Sequence, residues 1–208
     1  MRSSAFDGKA VLLTLLLAAA LWFVTFYLDW GVFWFKISIS SLVLAALAFR
    51  LQPRRETRFA FNLKAVGLGI LSAALLYLIF WAGKTVSGML LPFAGEQIGA
   101  IYGKGEGTPI WLIALLLFFV TGPCEELYWR GFLQKKLMLR FGNGTGWLMA
   151  VLLYAGVHIW SFNFMLIGAA AVAGAFWGAM YWLTDDLAPV IISHAIWSTF
   201  IFAVMPIP

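Results

Sequence analysis

The sequence predicts an all-α protein, a helical bundle that crosses a membrane about seven times. Of its 208 residues, 63% are hydrophobic and only 11% are charged, whereas a soluble globular domain carries about 25% charged residues. The chain also contains successive apolar runs close to the roughly 20 residues that a helix needs to cross the hydrocarbon core. No strand is required, because only helices and closed barrels satisfy the backbone in lipid.

The apolar runs give the order of the spans along the chain. The first run follows Lys9; it is too long for a secretory signal peptide and lacks a small-residue cleavage site, so it is predicted to be a span. The loop at 84–108 separates the third span from the fourth, and we assign it no function. The turn SFNF at 161–164 is the weakest separation. The seven predicted spans are residues 10–28, 31–49, 65–83, 109–133, 147–163, 164–183 and 187–205.

The basic residues predict the orientation of the chain. The net charge of +5 does not indicate a nucleic-acid partner, because Lys and Arg lie mostly in short loops beside apolar runs. With the N-terminus in the cytoplasm, ten of the fourteen fall on the cytoplasmic side, as the positive-inside rule requires. We therefore predict a multi-pass protein of the inner, cytoplasmic membrane. The ten are Arg2, Lys9, Arg50, Arg54, Arg55, Arg58, Lys64, Lys135, Lys136 and Arg140.

The fourth span continues into the polar stretch TGPCEELYWRGF, residues 121–132. Each charge near the bilayer centre costs about 2.5–3.5 kcal/mol, but Glu126 and Arg130 are four residues apart on one helical face and can neutralise each other. Glu125 points away from Arg130, and an unpaired buried carboxyl group is suited to general-base catalysis. Pro123 predicts a broken or kinked helix. If it starts a half-helix, both glutamates lie in the first turn, where the helix dipole favours anions.

The two histidines of the chain lie in different late spans. His158 has Tyr154 four residues before it, and His194 has Ser198 four residues after it, so each shares a helical face with a hydroxyl group. At 1.5 Å per residue, both histidines and Glu125 lie at overlapping depths, somewhat on the cytoplasmic side of the midplane. The sequence therefore predicts that these side chains converge on one site.

A stripe of small residues, Ala170, Gly174 and Gly178, runs along the sixth span. Such a stripe lets two helix backbones approach closely. We interpret it as a packing feature.

Three motifs on successive late spans together resemble the CPBP family. This family contains CAAX prenyl endopeptidases and bacterial bacteriocin-processing or self-immunity proteins, and is also called Abi. The resemblance covers roughly residues 109–203, so we divide one continuous membrane domain into an N-terminal three-span region with its outer loop, 1–108, and a CPBP-like catalytic core, 109–208. The motifs are Glu125-Glu126-x-x-x-Arg130, Tyr154-x-x-x-His158 and His194-x-x-x-Ser198.

The resemblance implies an intramembrane endopeptidase that acts on a membrane-tethered peptide or protein substrate. Glu125 with His158 would activate a water molecule, and His194 with Ser198 would stabilise the oxyanion. Two positions depart from the family pattern: Tyr154 stands where Phe is usual, and Ser198 where Asn or Asp is usual. The implied site is Glu125, Glu126, Arg130, His158, His194 and Ser198, in which Glu126 and Arg130 hold the fourth helix in register.

Other functions are compatible with the same residues. Glu125, His158 and His194 could bind zinc with an open fourth position, but the chain has no HExxH motif, and we favour a site without a cofactor. Cys124 could be a nucleophile beside a histidine; we favour a space-filling role for it. A non-catalytic immunity or chaperone-like membrane protein of the same fold is one alternative. A small ion-coupled transporter is another, although the chain shows no inverted repeat.

Overall fold

The structure, a computed structural model, describes residues 7–52 and 57–207. Arg2, Arg54 and Arg55, on which the orientation prediction partly rests, lie outside the described residues. The described residues form eight helices and no strand. The helices are α1 (Gly8–Phe26), α2 (Phe33–Leu51), α3 (Leu63–Leu90), α4 (Ala94–Gly103), α5 (Ile110–Phe141), α6 (Asn143–Val157), α7 (Phe164–Thr184) and α8 (Leu187–Val204).

Six of these helices are long and apolar enough to cross a membrane: α1, α2, α3, α5, α7 and α8. This confirms a multi-pass helical bundle. The predicted span at 147–163 corresponds to α6, which has 15 residues and continues as one 3-10 turn, His158–Ser161. The α-helical part alone is shorter than any of the six, the shortest of which is α8 with 18 residues; with the 3-10 turn the segment comes close to the roughly 20 residues of a full span. The described part of the chain thus holds six long helices and two shorter ones, α4 and α6.

The outward faces of the long helices are apolar. Leu71 on α3 is 69% exposed and Leu183 on α7 is 82% exposed. A soluble monomer rarely exposes a contiguous apolar surface of this kind, but lipid tails cover it without cost. The exposed leucines therefore agree with a bundle surrounded by lipid.

Side-chain caps start several of the helices. The Asp7 carboxylate accepts hydrogen bonds from the backbone N–H groups of the first turn of α1, and Asn62, Asn163 and Asp186 do the same for α3, α7 and α8. These are the residue types preferred at helix N-termini. Phe162 adopts a left-handed conformation, with φ of 50°, so the SFNF segment does separate two helices as predicted.

Pro123 does not start a new half-helix. Thr121 has helical backbone angles (φ −62°, ψ −56°) and α5 continues through the proline. The disturbance takes another form: two segments with wider, π-type turns, Leu117–Thr121 and Leu127–Gln134, flank the proline. Such segments are common at functional sites. The two glutamates therefore lie in the middle of a 32-residue helix, not in a first turn.

Contacts between chain segments define the two ends of the bundle. At one end the Lys135 ammonium pairs with Asp185 at 2.6 Å, and the Leu187 N–H donates to the carbonyl of Arg58 at 3.1 Å. The basic residues near the ends of α2 and α5 and the starts of α1 and α3 lie at this end, which we call the basic end. At the opposite end the short helix α4 packs over the bundle, where the Tyr102 hydroxyl accepts from the Ile207 N–H at 3.0 Å.

Candidate active site

A closed group of charged side chains joins α5 to α8. One oxygen of Glu126, Oε1, accepts hydrogen bonds from Arg130 Nη1 at 2.7 Å and from His194 Nδ1 at 2.6 Å. Glu126 is completely buried and Arg130 is 2% exposed. The predicted pair within α5 is therefore present, and its acid also holds a histidine on another helix.

Aromatic rings cover this group. The Arg130 guanidinium lies 4.7 Å from the ring centroid of Tyr154 and 5.6 Å from that of Trp177. Trp177 also stacks on His194 at 3.9 Å, with an angle of 18° between the ring planes. Cation–π contacts of this kind favour the charged form of the partner. We call Glu126, Arg130, Trp177 and His194 the α5–α8 cluster.

A second hydrogen-bonded group joins α5, α6 and α1. Glu125 Oε2 accepts from the Tyr154 hydroxyl at 2.9 Å. His158 Nδ1 lies 2.8 Å from the backbone carbonyl oxygen of Tyr154, and His158 Nε2 accepts from the Trp22 indole N–H at 3.3 Å. We call Glu125, Tyr154, His158 and Trp22 the α5–α6 cluster.

The partners of His158 fix its protonation. A carbonyl oxygen can only accept, so Nδ1 must carry a proton; an indole N–H can only donate, so Nε2 must present its lone pair. His158 is therefore the neutral imidazole with its proton on Nδ1. Both of its ring nitrogens already have partners in the protein.

The two clusters meet at a cavity of about 260 Å³. Glu125 and His158 from one cluster and His194 from the other line it, as does Ser198. These four are 4–7% exposed. The side chains that were predicted to converge do share one site. Glu126 and Arg130 lie behind its wall.

The depth of the site differs from the prediction. The cavity walls come from the end of α1, the start of α2, α4, the first half of α5, the end of α6, the start of α7 and α8 from His194 onwards. Most of this wall lies in the half of the bundle away from the basic end, whereas His194 lies in the first half of α8. The predicted spans placed Glu125 and His158 closer to the basic end because α5 extends to Phe141 and α6 already begins at Asn143.

Ser198 lies in the cavity wall, but its hydroxyl is engaged within its own helix. Oγ donates to the backbone carbonyl of His194 at 2.8 Å. The proton that would assist an oxyanion is therefore already used.

The loop between α3 and α5 forms part of the site. Ala100, Ile101 and Lys104 line the cavity. Gln97 fixes α4 to the start of α7, because its carbonyl accepts from Asn163 Nδ2 at 2.7 Å and its side chain accepts from the Met165 N–H at 3.0 Å. No function was assigned to this loop, although the spacing of Gln97, Ile98 and Ile101 could have indicated a short helix with one packed face.

The stripe of small residues does more than bring two helices together. The carbonyls of Gly174 and Gly178 accept from Arg130 Nη2 at 3.4 Å and from Gln134 Nε2 at 2.8 Å. A Cβ atom at Gly174 would lie 2.9 Å from the Tyr154 ring. The absence of a side chain there leaves room for the tyrosine that holds Glu125.

The structure also describes the residues that the two rival chemistries would use. Among residues 7–52 and 57–207, no three His, Cys, Asp or Glu side chains are grouped so that they could hold a metal ion. His158 could become a ligand only by giving up one of its two hydrogen bonds. The Cys124 thiol is buried and does not line the cavity.

Sequence reasoning missed the two tryptophans of the clusters. Trp22 and Trp177 are two of eleven tryptophans in a membrane protein, where most serve packing or the interface. No pattern in the sequence separates them from the others.

One family model matches the part of the chain that contains α5 and most of the site. Residues 107–200 match the family model described as Type II CAAX prenyl endopeptidase Rce1-like. The match is consistent with the CPBP family that the three motifs resemble. The family is a protease family, so the match supports an intramembrane endopeptidase at family level. No curated protein and no solved structure matches the chain. Within the site, Trp22 and the α4 residues lie outside the matched CPBP region.

Proposed function

We propose that this protein is an intramembrane endopeptidase in which Glu125 activates a water molecule to hydrolyse a peptide bond of a membrane-associated peptide or protein. The observation that carries the proposal is the small cavity inside a bundle of membrane-spanning helices, lined by Glu125, His158 and His194. A buried carboxylate costs free energy unless it is compensated or used. The charge of Glu126 is compensated by its partners Arg130 and His194. Glu125 has no such partner among the described residues and lines the cavity.

Glu125 is suited to be the general base because only one of its oxygens is bound. Tyr154 fixes Oε2, and no other residue in the described part of the chain donates to Oε1. The bound oxygen orients the carboxylate, and the free one can accept a proton from water. A positioned base contributes about 10²–10⁴-fold in rate.

His158 helps to orient that water. Its Nε2 is an acceptor, and at 3.3 Å the Trp22 contact is at the long end of hydrogen-bond distances, so the lone pair is shared between the indole N–H and one water O–H in a three-centre hydrogen bond. The other O–H then points towards Glu125. His158 acts here as a neutral acceptor and Glu125 as the base.

His194 stabilises the oxyanion when both of its ring nitrogens are protonated. Nδ1–H donates to Glu126, and Nε2–H then faces the cavity. The stacked Trp177 ring favours this imidazolium. With Glu125 ionised, the two carboxylates balance Arg130 and His194, so the buried site is neutral before reaction. A single oxyanion donor is worth about 3–4 kcal/mol.

The steps conserve atoms and charge. Glu125 takes one proton from water while the water oxygen bonds to the scissile carbonyl carbon, whose oxygen becomes the oxyanion near His194. The C–N bond then breaks, and Glu125 returns its proton to the departing amine. We propose that no metal takes part. Metal analysis of the purified protein and treatment with a chelator test this point: activity should persist, and reversible loss with restoration by zinc would contradict it.

A second cavity favours an apolar substrate. It has a volume of about 390 Å³, is lined almost entirely by apolar side chains of α3, α4, α7 and α8, and shares Ile101, Leu166, Trp197 and Phe202 with the catalytic cavity. We propose that an apolar part of the substrate occupies it while the peptide bond lies beside Glu125. This supports a substrate that resides in or on the membrane.

We further propose that the N-terminus is cytoplasmic and the membrane is the cytoplasmic membrane, so that most of the wall of the catalytic cavity lies in the outer half of the bilayer. Single cysteines at Glu106 and Arg140 in a Cys124→Ala background test this orientation. A membrane-impermeant maleimide added to intact cells should label Glu106→Cys only. Labelling of Arg140→Cys alone would reverse the orientation.

The proposed function is tested by comparing the membrane proteomes of cells that carry the wild type or Glu125→Gln. The wild type should produce a peptide terminus that is absent with Glu125→Gln. Glu96→Gln is the matched control, because Glu96 is exposed on α4, and should behave as the wild type. Identical termini in all three strains, together with an intact phenotype in Glu125→Gln, would favour a non-catalytic immunity protein. Substrate-dependent uptake into vesicles would favour a transporter.

A further inference from the structure

Helix α1 lies outside the family-matched residues, yet it contributes a side chain to the α5–α6 cluster. Trp22 is fully buried, and its indole N–H donates to His158 Nε2 across 136 positions of sequence. The two rings pack edge to face at 6.0 Å. The indole also packs edge to face against Trp129, with ring centroids 5.8 Å apart, so both neighbours restrict the direction of the N–H group.

We infer that Trp22 is a positioning residue that keeps His158 Nε2 unprotonated and directed at the catalytic water. This inference rests on the proposed function, because it assigns His158 the acceptor role described above. It makes α1 a part of the catalytic apparatus rather than only a lipid-facing support.

The chemistry of imidazole explains why such a residue is needed. Proton exchange on a histidine can leave the proton on either nitrogen, and the hydrogen bond made by one nitrogen decides the state of the other. The Tyr154 carbonyl favours a proton on Nδ1 but does not prevent a second proton on Nε2, in a cavity that Glu125 also lines. The indole N–H disfavours that second proton, because an N–H group on Nε2 would point at the N–H group of Trp22. An Nε2–H group would repel the water O–H that must point at it.

A packing role alone makes a different prediction. If only the volume of Trp22 mattered, loss of the N–H group with most of the ring retained would leave His158 unchanged. Trp129 provides the matched control: it is 1% exposed, it packs against Trp22, and its N–H has no hydrogen-bond partner among the described residues.

The test compares Trp22→Phe with Trp129→Phe in the full-length protein, using ¹⁵N-labelled histidine. The chain has only two histidines, so each ring can be assigned with a His194→Gln variant. In the wild type and in Trp129→Phe, the nitrogen spectrum of His158 should show a protonated Nδ1 and an unprotonated Nε2. In Trp22→Phe a protonated Nε2 should appear, and turnover should fall about tenfold, the size expected for one lost hydrogen bond.

The outcomes separate this inference from the proposed function. A spectrum of the wild type that shows a protonated His158 Nε2 would overturn the role of Trp22. An unchanged His158 spectrum in Trp22→Phe would overturn it as well. Equal losses of turnover in the two phenylalanine variants would show that Trp22 contributes only by packing. The nitrogen spectra can be recorded without any substrate. If no proteolysis were found, the proposed function would be rejected, and the spectra would still test whether Trp22 controls the protonation of His158.

Discussion

Glu125 and Glu126 are neighbours in sequence, but they belong to clusters of opposite character. In the α5–α8 cluster, Glu126 is held by Arg130 and His194 through one oxygen and lies behind the cavity wall. In the α5–α6 cluster, Glu125 is held by one neutral hydroxyl and lines the cavity. Adjacent residues on a helix point about 100° apart, so α5 presents one acid to α8 and the other to α6.

This difference assigns a structural role to Glu126 and a chemical role to Glu125. A carboxylate whose charge is balanced by Arg130 stabilises the bundle and orients His194, and it does not line the cavity. A carboxylate that lines the cavity and has only a hydroxyl partner is placed to contact water. The account therefore predicts that changes in the α5–α8 cluster reduce both stability and activity, whereas changes in the α5–α6 cluster reduce mainly activity.

The largest effect on stability is expected for Arg130→Met. It leaves the buried Glu126 with only His194 as a partner, and removal of one member of a buried ion pair costs about 3–5 kcal/mol. Thermal unfolding in detergent should show a clearly lower midpoint, with loss of activity.

Lys135→Met is the matched control, because it removes an equally short ion pair whose partner Asp185 is 67% exposed. A surface ion pair contributes about 0–1 kcal/mol to stability, so the unfolding midpoint of Lys135→Met should lie close to that of the wild type. Similar midpoints for the two variants would show that the α5–α8 cluster is not a structural centre.

An intermediate effect is expected for Gly174→Ala. The added methyl group would lie 2.9 Å from the Tyr154 ring and should push the hydroxyl away from Glu125. Alanine gains about 1 kcal/mol in helix propensity, whereas overpacking costs about 1–3 kcal/mol. Stability should therefore change little while turnover falls about tenfold.

Gly156→Ala serves as the control for this variant, since a Cβ atom there meets nothing within 4 Å. Its turnover should equal that of the wild type. If Gly174→Ala also retained full turnover, the position of Tyr154 would not matter for the reaction.

The smallest effect is expected for Ser198→Ala. The hydroxyl donates to the backbone of its own helix, so turnover should fall less than about twofold. The turnover of His194→Ala should fall about 10²–10³-fold, as expected for the loss of an oxyanion donor. A tenfold or larger loss in Ser198→Ala, measured with the same substrate, would give the hydroxyl the oxyanion role that the family resemblance implied.

The sequence predicted those parts of the site that depend on spacing along one helix. The helical repeat places Glu126 and Arg130 close enough to pair. It also places Tyr154 and His158 on the same face of one helix. Contacts between helices could not be predicted in the same way. Which of the two glutamates meets His194 depends on the rotation of α5, and its π-type segments change that rotation in a manner that no local pattern reveals.

The boundaries of the spans were predictable where caps or turn residues mark them, as at Asn163 and Asp186. The half-helix that Pro123 could have started is not formed, because a widened turn can accommodate a residue without an N–H group. The role of α4 was missed because ten residues of mixed polarity resemble an ordinary loop. Its function depends on the tertiary contact of Gln97 with α7.

The most direct test of the central claim uses purified protein and the substrate found by the proteome comparison. Turnover and thermal unfolding should be measured together for the wild type, Glu125→Gln and Glu126→Gln. The account predicts that Glu125→Gln loses at least about 10²-fold in turnover with an unfolding midpoint near that of the wild type, while Glu126→Gln loses stability as well. Turnover of Glu125→Gln within about threefold of the wild type would contradict the assignment of Glu125 as the base.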